Sequence, residues 1–127
     1  MLTQYLDPHP FWAGSVGEAV FLIGAERNAG KIFGAAFAPI LANVNAENWK
    51  NNLIYYNADA SEDVLSTSWH VLNLVANVRI TETHPVTSTA PTGPLYWVAG
   101  ENTDSGSYIF KGMFLSYLHP GSCGLVF

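Results

Sequence analysis

Cysteine and basic residues are both scarce in this sequence of 127 residues. The single cysteine, Cys123, permits no disulfide within the chain and no cysteine-based metal cluster. The four histidines are far apart and show no metal-ligand spacing, so we predict no metal site and no cofactor. The five lysine and arginine residues form no basic patch, and the net charge is -5. Because binding to phosphates needs clustered lysine and arginine, we predict no nucleic-acid partner.

Long apolar runs are missing as well. The uncharged, mainly apolar stretch of residues 32–46 is too short to span a bilayer and is interrupted by Pro39, Asn43 and Asn45. Residues 1–10 have no basic start and no apolar centre, so they do not resemble a signal peptide. We therefore predict no membrane partner.

Charged residues make up only 12% of the chain and apolar residues 49%, whereas about a quarter of a soluble protein is usually charged. This composition is typical of a core-rich piece of a larger protein. A complete eightfold β/α barrel needs about 250 residues, so the chain is too short to be one.

Residues 15–38 carry the clearest pattern, a helix followed by a turn and a strand. Ser15 and Glu18 have the spacing of a capping box, which predicts that the helix begins there. Apolar residues then recur at intervals of three and four, and Gly30 stands where a left-handed residue would end the helix. Residues 32–38 are uncharged and predict a short strand that is buried on both faces. The predicted stripe of the helix is Val16, Ala19, Val20, Ile23 and Arg27, with Leu22 widening its apolar part.

The loop predicted over residues 39–50 contains three candidate binding residues, Asn43, Asn45 and Trp49. If residues 32–38 form the last strand of a barrel, this loop leaves the C-terminal end, where barrel enzymes build their sites. Asparagine amides hydrogen-bond sugar hydroxyls, and an indole covers the apolar side of a sugar ring. Asparagine is also ordinary in turns, so the sequence leaves both interpretations open.

A short strand and a second helix are predicted next. Residues 53–56 are β-branched and aromatic, as in a strand. Residues 66–78 carry a helical apolar stripe, and one of the three hydroxyl residues at positions 66–68 is predicted to cap it. His70 has no second histidine at ligand spacing, so we predict a packed or exposed side chain rather than a catalytic one.

The last part of the chain predicts β-structure. Residues 80–89 are threonine-rich, and Pro85 confines them to a sheet edge or a bend. Residues 95–99 and 107–111 are apolar and aromatic, and they flank a polar turn, which predicts a hairpin.

Several short motifs follow one another in a recognisable order along residues 10–111. They are Glu26-Arg27-Asn28, Phe37-Ala38-Pro39-Ile40-Leu41, Trp49, Leu53-Ile54, Ser66-Thr67-Ser68-Trp69-His70 and Gly93-Pro94-Leu95-Tyr96-Trp97-Val98-Ala99-Gly100. In this order and spacing the chain resembles the C-terminal region of the fungal-type α-L-arabinofuranosidases of glycoside hydrolase family 51. The resemblance lapses at Met113.

The resemblance implies an α/β plus β fold made of two incomplete domains. Residues 1–79 are expected to be the C-terminal end of a TIM-barrel catalytic domain, contributing its last β/α units. Residues 80–127 are expected to begin the C-terminal β-sandwich domain with its opening hairpin, and residues 113–127 are divergent.

The resemblance also implies a retaining glycosidase that hydrolyses terminal non-reducing α-L-arabinofuranosyl residues from arabinan and arabinoxylan. Such enzymes use two glutamates about 5–5.5 Å apart. In the family these stand in Asn-Glu and Gly-Glu-Tyr-like contexts upstream of the matched region, and this sequence has neither context. Its two Gly-Glu pairs contain Glu18, in the predicted cap, and Glu101, at the predicted hairpin turn.

We therefore assign no catalytic residue in this chain. Both catalytic glutamates are expected upstream of Met1, in the longer parent protein. The isolated chain is accordingly expected to be inactive.

For the longer parent, the resemblance implies an arabinose-containing polysaccharide or oligosaccharide as partner and an extracellular location. The alternative is a non-catalytic carbohydrate-binding or structural β module, with an aromatic platform of Trp12, Tyr96, Trp97 and Tyr108. Alternation along a strand places Tyr96 and Trp97 on opposite faces, which would split that platform.

Overall fold

The computed structural model describes residues 12–46, 49–89, 93–115 and 123–126, which form two helices and two small sheets. In chain order the elements are α1 (Trp12–Arg27), β1 (Leu41–Asn43), β2 (Ile54–Tyr56), β3 (Val64–Leu65), α2 (Thr67–Asn77), β4 (Glu82–Thr83), β5 (Leu95–Asn102), β6 (Ser107–Leu115) and β7 (Cys123–Val126). A 3₁₀ helix, Ala60–Glu62, precedes β3. Met1 and the rest of the segment that we compared with a signal peptide lie outside the described residues.

The first sheet has the order β1-β2-β3, with β1 and β2 parallel and β3 antiparallel to β2. The Ile54 amide donates to the Ile40 carbonyl at 2.9 Å, and the Val44 amide donates to the Tyr56 carbonyl at 3.0 Å. The strand predicted over residues 53–56 is therefore confirmed. The loop predicted over residues 39–50 is wrong at β1, because this segment finds β2 as a partner.

The strand predicted over residues 32–38 is wrong. These residues have no strand assignment, and Ile32 and Phe33 are exposed, Phe33 fully. A strand exists through hydrogen bonds to a neighbour, and no described strand lies beside this segment. The uncharged composition correctly signals an affinity for a core, but the described part of the chain supplies no layer to cover it.

The first helix begins earlier than predicted. It starts at Trp12, so Ser15 lies inside the helix and is not its cap. The Ser15 hydroxyl oxygen is buried 2.6 Å from Thr67 Oγ1 and 3.1 Å from Ser68 Oγ, at the contact with α2. The predicted left-handed Gly30 is also wrong, because the helix ends at Arg27 and Gly30 has no positive φ.

The predicted second helix is confirmed as α2. Ser66 is its cap, since its Oγ accepts a hydrogen bond from the Trp69 amide at 3.2 Å. The next two hydroxyls, Thr67 and Ser68, contact Ser15 instead. His70 is exposed and meets the Trp69 ring edge-on, with ring centroids 5.1 Å apart.

The second sheet is antiparallel with the order β4-β5-β6-β7. The predicted hairpin is confirmed as β5–β6, and its turn contains Gly106 with φ +69°. The turn follows Asn102, so Glu101 lies within the strand rather than at the turn. A glycine is required at position 100, where β4 pairs with β5, because a Cβ there would overlap the Glu82 carbonyl oxygen.

The apolar core lies between the two helices and the second sheet. Its buried members are Val16, Ala19 and Ile23 of α1, Val71 of α2, Val98 of β5 and Met113 of β6. The predicted stripe of α1 is thus confirmed in its buried members, and the predicted domain division at residues 79 and 80 stays a prediction.

A buried ion pair joins the same three parts of the molecule. Lys111 of β6 is 1% exposed, and its Nζ donates to Glu26 Oε1 of α1 at 2.6 Å and to the Val75 carbonyl of α2 at 3.0 Å. A buried ammonium costs several kcal/mol unless charge and hydrogen bonds compensate it, so these two partners decide whether the pair stabilises the fold.

We expect Glu26→Gln to lower the free energy of unfolding by about 2–3 kcal/mol, because it leaves the Lys111 ammonium buried without a counter-charge. Lys111→Met should cost less, about 1 kcal/mol, because it removes the charge as well and keeps a similar volume. Urea unfolding measures both, with the exposed Glu82→Gln as the matched control. Equal losses for Glu26→Gln and Glu82→Gln would contradict the role of the pair.

The exposed apolar side chains of residues 32–44 predict association of the isolated chain. They include Ile32, Phe33, Ile40, Leu41 and Val44. We expect concentration-dependent association in sedimentation experiments, and Phe33→Ser should weaken it about tenfold, the effect of losing one aromatic contact. Phe21→Ser, an exposed aromatic on α1, is the control. A monomer at all concentrations with a sharp cooperative melt would refute this.

Candidate functional site

Asn43 and Asn45 lie at the C-terminal end of the parallel pair β1–β2. Asn43 ends β1 and is in register with Tyr56, which ends β2. Its Oδ1 accepts a hydrogen bond from the Asn45 amide at 2.9 Å, so the first asparagine stabilises the turn that contains the second. The structure therefore brings these two predicted residues together at a C-terminal strand end, although the strand is β1.

Trp49 lies on the segment that returns to the opposite end of the sheet. Parallel strands run the same way, so the chain must return from the end of β1 to the start of β2. The Trp49 carbonyl accepts a hydrogen bond from Asn52 Nδ2, and Asn52 precedes β2 by two residues. The Trp49 side chain is 54% exposed. No described contact joins it to Asn43 or Asn45, and a binding role for the three stays a prediction.

Two buried asparagines beside Trp49 are not singled out by the sequence pattern. The Asn52 amide donates to the Tyr55 hydroxyl at 3.2 Å, and that hydroxyl donates to the Lys50 carbonyl. Asn51 is buried too, and its Oδ1 has no hydrogen-bond partner in the described part of the chain. Asparagine is usually exposed, so only its position just before a strand signals this burial.

Two carboxylates, those of Glu26 and Glu82, line one cavity of about 350 Å³. Glu26 accepts a hydrogen bond from Lys111, and Glu82 is exposed on β4. The register partner of Glu82 is Glu101, whose Oε2 lies 3.5 Å from His84 Nε2. A retaining centre needs a protonated acid and a charged nucleophile facing one substrate. We assign a catalytic role to none of these three carboxylates.

The position of the catalytic glutamates themselves stays a prediction. The resemblance places both of them upstream of Met1, and Met1 lies outside the residues that the structure describes. The described geometry covers only carboxylates that follow Trp12 in the chain. It therefore has no bearing on where the catalytic pair of the longer protein lies.

Three side chains stack at the end of α1. The guanidinium carbon of Arg27 lies 4.8 Å from the Trp97 ring centroid. Trp97 stacks in turn on Phe110, with centroids 6.3 Å apart and 18° between the planes. Arg27 and Trp97 line two cavities, of about 400 Å³ and about 470 Å³, and His84 lines the first. Arg27 belongs to a recognisable motif, but its contact with a strand far along the chain has no signal in the sequence.

The acidic segment after β2 is a surface cap. Asp59 Oδ1 accepts hydrogen bonds from the Ser61 hydroxyl at 2.7 Å and from the Ser61 amide at 2.9 Å, at the start of the 3₁₀ helix. These bonds, the hydroxyl bond first, lower the pKa of Asp59 from its ordinary 3.8. Glu62 accepts a hydrogen bond from Asn57 Nδ2.

No metal or membrane site emerges from the described residues. Among them, no three histidine, cysteine, aspartate or glutamate side chains are grouped so that they could hold a metal ion. Neither α1 nor α2, the helices described, is long and apolar enough to cross a bilayer.

The family of the chain follows from its sequence as a whole. The family model for the α-L-arabinofuranosidase C-terminal domain matches residues 3–106. The chain therefore belongs to the α-L-arabinofuranosidase C-terminal domain family.

Individual relatives agree with this assignment. The probable α-L-arabinofuranosidase A of Aspergillus flavus is 42% identical over 95 residues, and α-L-arabinofuranosidase A of Aspergillus kawachii is 44% identical over 96 residues. These matches cover 75% and 76% of this chain but 15% of each relative. The structure of arabinose-bound MgGH51 α-L-arabinofuranosidase superposes with a TM-score of 0.72 at 34% identity, covering 83% of this chain and 16% of that one.

The lowered pKa of Asp59 can be measured directly. Because folding lowers this pKa, the cap contributes stability above pH 3.8, and the contribution is lost as the pH falls through the lower folded value. We expect the NMR titration midpoint of the Asp59 carboxyl carbon to lie below 3.8 and to move back towards 3.8 in Ser61→Ala. Ser105→Ala, in the hairpin turn, should leave it unchanged. A midpoint at or above 3.8 in the native chain would contradict this assignment.

Proposed function

We propose that this chain is the C-terminal part of a retaining α-L-arabinofuranosidase that removes terminal non-reducing α-L-arabinofuranosyl residues from arabinan and arabinoxylan. The supporting observation is the match of residues 3–106 to the family model, together with the full-length relatives. The substrate of the longer protein is then an arabinose-containing polysaccharide or oligosaccharide, and its location is extracellular.

In this proposal, residues 1–79 supply the last β/α units of a TIM barrel and residues 80–127 begin a β-sandwich. The parallel pairing of β1 with β2 supports the first part, because neighbouring barrel strands are parallel. The exposed apolar side chains around β1 support it as well, since parallel sheets are normally covered on both faces. The antiparallel second sheet supports the second part.

The chemistry of the reaction belongs to residues upstream of Met1 in the longer protein. Neither sequence context of the two catalytic glutamates occurs in this chain, so the isolated chain is inactive. In this proposal Asn43, Asn45 and Trp49 bind substrate in the longer protein, where the loop containing them leaves a strand at its C-terminal end.

A carbohydrate-binding module remains the alternative, and the geometry weakens it. Register places Trp97 and Tyr108 on the same face of the second sheet and Tyr96 on the other. Trp97 also has contacts within the chain, with the Arg27 guanidinium over its ring and Phe110 stacked at a centroid distance of 6.3 Å.

We expect the purified chain not to hydrolyse an aryl α-L-arabinofuranoside above a boiled control, because it lacks both catalytic carboxylates. The full-length Aspergillus kawachii enzyme serves as the positive control under the same conditions. Hydrolysis by this chain that is lost on heating would refute the proposal that the catalytic acids lie elsewhere.

A further inference from the structure

We propose that the cavity of about 400 Å³ beside Arg27 and His84, the Arg27–His84 cavity, binds the carboxylate of a sugar acid of monosaccharide size. It lies where β4 separates from β5. The His84 amide donates to the Ala99 carbonyl at 2.9 Å, and the next residue, Pro85, has no amide to continue the ladder. The cavity opens at this break.

The lining of the cavity contains a positive side chain and no negative one. The sequence holds ten aspartate and glutamate residues against five lysine and arginine residues. The cavity nevertheless has a guanidinium and an imidazole in its lining and no carboxylate. Glu101 is not among the lining residues, but its Oε2 lies 3.5 Å from the buried Nε2 of His84, so the positive group that faces a ligand is the Arg27 guanidinium. An anionic ligand is the chemistry that this lining complements.

Arg27 retains the hydrogen-bonding groups that such a ligand needs. Its guanidinium carbon lies over the Trp97 ring, 4.8 Å from the centroid. The N–H groups point outward in the plane of the group, so stacking and bidentate carboxylate binding are compatible. Within the described residues, no carboxylate forms an ion pair with Arg27.

The shape of the site favours a compact ligand over a peptide strand. Arg27 and Trp97 line both this cavity and the neighbouring one of about 470 Å³, so the pair separates them along the edge of β5. An extended peptide that added to this edge would have to pass through the stack. The volume is at the lower end of small-molecule sites, and Pro85 and Val86 offer apolar walls to one side of a ring.

The carboxylate part of this inference rests on the geometry of this chain alone. The choice of a sugar acid rather than another small carboxylate rests on the proposed function. The test therefore compares glucuronate with glucose, which has the ring without the carboxylate, and with acetate, which has the carboxylate without the ring.

The experiment is an NMR titration of the isotope-labelled chain with each of the three probes at constant ionic strength. We expect glucuronate to shift the Trp97 indole N–H and the Arg27 Nε–H signals, with glucose leaving them unchanged and acetate binding more weakly. Arg27→Gln should weaken glucuronate binding about tenfold, the effect of losing one charge-assisted hydrogen bond. Arg27→Lys should be intermediate, because it keeps the charge and loses the planar fork.

Lys31→Gln, which removes a positive charge outside the cavity, is the matched control and should bind normally. Since Arg27→Gln also removes the stack on Trp97, His84→Gln gives an independent test that leaves the stack in place, and it should also weaken binding. Absence of shifts with glucuronate, or equal shifts with glucose, would overturn the carboxylate site. Equal affinity for acetate and glucuronate would overturn the sugar acid and leave the proposed function untouched.

Discussion

A single buried ammonium fixes how the helices of this molecule lie against its larger sheet. Lys111 projects from β6 into the region between α1 and α2, where Glu26 and the Val75 carbonyl receive it. A displacement of either helix along the sheet would remove a partner of Lys111. Because a buried charge without partners is so unfavourable, that displacement would destabilise the fold. The apolar contacts of the core are less directional, so the ion pair selects one arrangement among those that hydrophobic packing would allow.

Arg27, which follows Glu26 in α1, contacts the neighbouring strand β5. Glu26 holds β6 through Lys111, and Arg27 holds β5 through Trp97, which rests on Phe110 of β6. Two consecutive residues at the helix end thus contact both strands of the central hairpin. Two residues of the Glu26-Arg27-Asn28 motif therefore fix the end of α1 on the second sheet.

Local patterns in the sequence predict the elements whose partners lie within the chain. The stripe of α1, the Ser66 cap of α2 and the β5–β6 hairpin depend on periodicity, capping and turn chemistry, all of which are local. The strand predicted over residues 32–38 failed because pairing requires a neighbour, which composition cannot supply. The contacts of Lys111 and Arg27 could not be predicted from the sequence either. A lysine in a strand is usually exposed, and the stacking of an arginine depends on residues that only the fold brings together.

Positively charged residues are scarce in this chain, and two of them form contacts that hold α1 against the second sheet. Of five lysine and arginine residues, one is buried in the core and another stacks on the sheet edge. A ligand carboxylate bound to the free edge of Arg27 would hold the guanidinium over Trp97 as well, so binding and helix–sheet docking would stabilise each other. Through this coupling, a ligand in the Arg27–His84 cavity would stabilise the packing of α1 against the second sheet.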